Sequence, residues 1–132
     1  WFARHGGPPA GPAEPEVYGY RIKATYPHDV NAFTQGLLIL NGSLYESTGL
    51  FGRSEVRRVE PETGQVLQSF KLSQKDFGEG LVALKHDWGH ELLQLLWRTG
   101  RGWRYNLSSD GKIITPGRAF RTPLRDGWGI EQ

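Results

Sequence analysis

The sequence predicts an all-β fold, and three observations predict it. Glycine, at 18 of 132 residues, combines with 5 Trp, 5 Tyr and 6 Phe and few long helix-forming runs, a composition that suits strands and turns better than helices. Short β-rich runs are separated by dipeptides that tolerate positive φ. A glycine-centred block also recurs: Phe33-Thr34-Gln35-Gly36-Leu37 returns as Phe77-Gly78-Glu79-Gly80-Leu81 after 44 positions, and Gly127-Trp128-Gly129-Ile130 falls at the matching point 49 further on. One period holds about four strands, which is the blade of a β-propeller.

The elements follow in chain order. Residues 1–16 read as a linker, because Gly6 to Glu16 is Gly, Pro, Ala and Glu, too poor in apolar surface to order itself. The folded part, 17–132, is predicted to open with a strand over Tyr18–Tyr26. Strands then follow at Leu37–Leu40, Leu44–Ser47, Glu55–Val59, Val66–Leu72, Leu81–Leu84, Glu91–Trp97, Trp103–Leu107 and Lys112–Thr115. Asn41-Gly42, Glu62-Thr63-Gly64 and Ser109-Asp110-Gly111 supply the hairpin turns. The run Glu91–Trp97 contains good helix formers, but seven residues between Gly89 and Thr99-Gly100 favour a buried central strand. A propeller needs at least about four blades of roughly 40 to 45 residues, so about two and a half blades are present and the ring is incomplete.

Composition also excludes function classes. A net charge of +2 gives no broad field for nucleic acid or anionic membranes. No apolar run is long enough to span a bilayer, so this segment is expected to be soluble and to make no membrane contact. Cysteine is absent, which removes disulfides, thiolate nucleophiles and Cys-based zinc sites. Methionine is absent too, which predicts that residues upstream of Trp1 have been cleaved or left out. His86 and His90 stand four apart, but Gly89 argues against the helix that a metal pair at this spacing needs. Asn41-Gly42-Ser43 and Asn106-Leu107-Ser108 match the glycosylation acceptor pattern, a loose signal; the first already reads as a tight turn.

Several blocks carry a family resemblance. Tyr26-Pro27-His28-Asp29, Phe33-Thr34-Gln35-Gly36-Leu37 and Leu44 through Ser54 are followed by Glu62-Thr63-Gly64, Phe77-Gly78-Glu79-Gly80-Leu81, Leu96-Trp97 and Asp126-Gly127-Trp128-Gly129. In order and spacing these resemble the plant- and bacterial-type glutamine cyclotransferases over about residues 18–130. The resemblance implies a five-bladed propeller that turns the N-terminal glutamine of peptides or proteins into pyroglutamate with release of ammonia. It further implies no catalytic metal, no cofactor, a monomer, and a secretory, extracytoplasmic or membrane-anchored full-length protein. Leu96 and the loop from Lys85 to His90 depart from the family pattern, and its later blades, which bring an amide, a lysine and another tryptophan, would lie beyond Gln132.

On that resemblance Glu79 is the expected catalytic proton shuttle, desolvated by Phe77 and facing Trp97 and Trp128. Gln35, one repeat earlier, is expected to hydrogen-bond the substrate. Phe33, Phe77, Trp97 and Trp128 would form aromatic walls that exclude water. Without the resemblance, Glu79 would read as an exposed turn carboxylate, and the aromatics as core.

Overall fold

The computed structural model describes residues 15–114 and 117–131, among which nine strands form and no helix. In the first sheet β1 (Thr34–Leu40), β2 (Ser43–Thr48), β3 (Glu55–Val59) and β4 (Val66–Lys71) run as an antiparallel meander. In the second, β5 (Gly78–His86), β6 (Gly89–Leu96), β7 (Arg101–Leu107) and β8 (Ile113–Ile114) repeat that order. The short β9 (Ala119–Arg121) also pairs with β7. Because β6 occupies one edge of β7, β8 and β9 share the other and act as one interrupted fourth strand.

The turn chemistry appears where the sequence places it. Asn41 and Gly42 take φ 49° and 77° between register partners Leu40 and Ser43, the two left-handed residues that a tight hairpin requires. Gly64 and Gly111 close the β3–β4 and β7–β8 turns, their N–H groups reaching the carbonyls of Glu60 and Ser108 at 2.9 Å. Glu91–Leu96 is a strand, buried throughout in the middle of its sheet. Lys85–His90, expected as an open loop, is a two-residue hairpin in which His86 faces Gly89. His86 stacks on Trp88 at 4.5 Å there, and among the described residues no group of three His, Asp or Glu gathers as metal ligands.

Two expectations require correction. Tyr18–Tyr26 is not a strand: it is irregular and exposed. A strand needs a partner for its N–H and C=O groups, and no described strand runs beside it. The chain enters regular structure only at Thr34, and the first turn is closed by the Ala32 N–H on the Asp29 carbonyl. At the other end β9 forms over Ala119–Arg121, where no strand was predicted; three residues carry too short a pattern to read. The linker assigned to 1–16 lies outside the described residues as far as residue 14.

The core lies between the sheets. Tyr45 and Val56 of the first pack against Leu81, Leu92, Tyr105, Leu107 and Ile113 of the second, with Leu38, Leu40 and Phe70 against them. Polar bridges fix the register of sheet on sheet. Gln94 donates to Ser47 Oγ at 2.8 Å and accepts from Tyr105 Oη at 2.7 Å. The Gln68 amide engages both the N–H and the C=O of Ile113 at 2.9 Å, as a neighbouring strand would.

Candidate active site

The three copies of the repeat lie side by side. A Cβ built on Gly36 would fall 2.5 Å from the Leu81 nitrogen, and one on Gly80 would fall 2.5 Å from the Trp128 carbonyl oxygen. Only glycine permits backbones to approach this closely. The Gly80 N–H also donates to that Trp128 oxygen at 2.8 Å. The first strands of the two sheets, and the Trp128–Ile130 segment after them, therefore lie next to one another.

Each of these strands carries an irregularity just before its crowded glycine. The ladder of β1 slips between Thr34 and Gly36, at Gln35, and that of β5 slips between Gly78 and Leu81, over the stretch that holds Glu79 and Gly80. Bulges re-aim a side chain out of the regular alternation, and here they do so at the two polar residues that the repeat singles out.

Glu79 is 3 % exposed. Burial raises its carboxyl pKa above the ordinary value, and no neighbouring charge or hydrogen bond works against that shift. Such surroundings favour the protonated form of the acid. Gln35 is half-buried at the equivalent point of β1.

Aromatic rings gather at the same end of the sheets. Phe77 stands at the centre, with Trp97 at 5.4 Å, Phe33 edge-on at 6.0 Å and Phe51 edge-on at 5.5 Å. The separations and tilts are those that aromatic quadrupoles favour. Phe33 and Phe77 also cover Gly49, where a Cβ would meet the Phe77 ring at 2.3 Å. The Trp97 N–H donates to the Phe77 carbonyl at 3.0 Å, so the strand end of β6 is tied to the start of β5. The Arg98 guanidinium lies over the Trp97 ring, 4.5 Å from its centroid. The indole Nε1 of Trp97 is buried with no acceptor.

Of the residues singled out in the sequence, Phe33, Phe77 and Trp97 are thus brought together beside the strand that carries Glu79. The Trp128 ring is 62 % exposed and contacts none of these rings, although its backbone touches Gly80. Phe51 is a member that the sequence reading missed. It lies next to Leu50, which takes φ 80°, an unfavourable value for a branched side chain. The Leu50 carbonyl accepts from the Arg53 N–H at 3.0 Å and from Ser54 Oγ at 2.8 Å, which holds the turn in place. The signal available was position: Phe51 belongs to the same Leu44–Ser54 block as the family signature.

A charged network braces the cluster from behind. Glu46, buried, receives Thr34 Oγ1 and lies 2.9 Å from His28 Nε2. Arg57 reaches Asp29 and Glu55 at 2.9 Å each. Burial works against the Arg57 charge, but these carboxylates outweigh it and raise its pKa. The Asn31 backbone N–H, then Arg57, hold Asp29 below the usual carboxylate range. Tyr26-Pro27-His28-Asp29 thereby fastens the chain just before Phe33.

A family model described as glutamine cyclotransferase matches residues 3–132. A glutaminyl-peptide cyclotransferase from Arabidopsis thaliana is 43 % identical over 110 residues, covering 83 % of this chain and 32 % of the relative. The chain therefore spans about a third of the length of the curated relative it matches. It belongs to the glutamine cyclotransferase family.

Proposed function

We propose that this chain carries the catalytic carboxylate and part of the substrate slot of a glutaminyl-peptide cyclotransferase, acting on peptides or proteins with an N-terminal glutamine. The single observation that carries the reading is Glu79, a buried carboxyl without a compensating partner among the described residues, on the irregular start of the strand that follows Phe77.

In this reaction the α-amine of the terminal glutamine attacks its own side-chain carbonyl carbon. The new N–C bond closes a five-membered lactam, and the C–N bond to the side-chain amide nitrogen breaks to release ammonia. Nucleophile and electrophile are already tethered, so holding the side chain folded back supplies much of the acceleration. Phe33, Phe77, Trp97 and Trp128 are the proposed walls, with Phe51 added to them. Glu79, as carboxylate, takes the proton that the attacking amine loses and returns it to the departing nitrogen; a raised pKa suits both halves of that transfer. Gln35 is placed to hydrogen-bond the substrate without adding charge.

The stacking of Gly36 on Gly80-Leu81, and of Gly80 on Trp128-Gly129, supports inner strands of successive blades around a shared axis. We extend it to a five-bladed propeller closed by blades outside these residues. Incubation of the full-length protein with a Gln-initiated peptide tests the activity. Ammonia release with formation of the cyclic product is expected, whereas binding without any mass change would indicate a peptide-binding module instead.

A further inference from the structure

We propose that the cavity beside the aromatic cluster is a subsite for an acidic side chain one or two residues after the terminal glutamine, an inference that rests on the cyclotransferase reading. The cavity encloses about 190 Å³, and its lining includes Phe33, Gly49, Arg53, Glu55, Arg57 and Lys71. Phe33 and Gly49 also belong to the aromatic cluster, so slot and cavity share a wall. An extended peptide advances at most about 3.3–3.6 Å per residue, and a cavity that begins at the wall of the slot is reached by the second or third residue.

Three cations and one carboxylate are named in that lining, and their pairing decides what the cavity prefers. Glu55 gives its carboxylate to Arg57 Nε at 2.9 Å, and Arg57 is further engaged by Asp29 at 2.9 Å, with Glu46 at 3.8 Å. The Arg57 charge is therefore spent within the protein. Among the described residues, the Arg53 guanidinium has only the Asn31 carbonyl, at 3.3 Å. Lys71 stands opposite Glu55 in the β3–β4 register, yet no described carboxylate lies within ion-pair distance of it. Two exposed cations with uncommitted donors thus border a recess that leads out of the slot, and a carboxylate on the peptide satisfies them.

The test measures kcat/KM of the full-length protein on the C-terminally amidated peptides Gln-Ala-Ala, Gln-Asp-Ala, Gln-Ala-Asp and Gln-Lys-Ala, at low and at raised salt. Amidation removes the terminal carboxylate as a competing anion. The better aspartate peptide is expected to exceed Gln-Ala-Ala by about 1.5- to fivefold, the range of exposed ion pairs, with Gln-Lys-Ala below it and the advantage shrinking as salt screens it. In the double variant Arg53→Glu/Lys71→Glu the order of aspartate and lysine peptides should invert; Arg53→Gln and Lys71→Gln should each lose part of the preference. Equal rates on aspartate and alanine peptides, or an aspartate preference that survives charge reversal, overturn the subsite while leaving the cyclotransferase reading intact. Failure of Gln-Ala-Ala to cyclise at all overturns both.

Discussion

Glu79 joins an unfavourable environment to a proposed chemical use. Its folded pKa lies above its unfolded value near 4.5, so the native state binds the proton more tightly than the unfolded chain does. Stability therefore falls as pH rises through the window above 4.5. Glu79→Gln removes that cost: its Tm should exceed that of the wild type near neutral pH, with the gain fading as pH drops below about 4.5, which calorimetry across pH would register. The opposite balance holds at Gln94. This wholly buried amide serves Ser47, Tyr105 and the Glu55 carbonyl, and Gln94→Leu should cost about 1–3 kcal/mol in denaturant unfolding through the groups it strands. Glu79 was singled out in the sequence through the family resemblance, since its alignment with Gln35 in the repeat would by itself have left it an exposed turn carboxylate. Phe51 and the Glu46 network were not, because loop geometry and the partners of a buried charge depend on chain segments brought together only by folding.

Strands and turns were legible where a local rule fixes them. Asn41-Gly42 gives its hairpin because two consecutive residues must adopt positive φ, and Glu55–Val59 was read to the residue. Tyr18–Tyr26 alternates Tyr18, Tyr20 and Ile22 as a strand would, yet pairing depends on a neighbour that a local pattern does not reveal. The glycine repeat was the most informative signal, since it marks backbone contacts 44 residues apart in sequence. Gly80→Ala places a methyl group against the Trp128 carbonyl oxygen and the Ile130 nitrogen. It should destabilise the protein by about 1–3 kcal/mol, the usual range for overpacking, and should loosen the segment from Trp128 to Ile130, visible as faster exchange of the position-80 amide that donates to the Trp128 carbonyl.

Among the described residues, one face of β1 is left uncovered. Leu38 and Leu40 face the core, whereas the alternating Leu37 and Ile39 are exposed, as are Val17, Tyr18 and Tyr20. A ring closed by further blades would bury such a face. The isolated 132-residue chain should accordingly bind an apolar dye such as ANS and self-associate, and the full-length protein should do neither; equal dye binding by both would argue against closure. The central claim, that a buried carboxylate beside aromatic walls moves the proton during cyclisation, is tested most directly by kcat of the full-length wild type and Glu79→Gln on a Gln-initiated peptide. The account predicts a fall of about 10²- to 10⁴-fold in kcat with KM nearly unchanged. A variant that cyclises the peptide at the wild-type rate would contradict it.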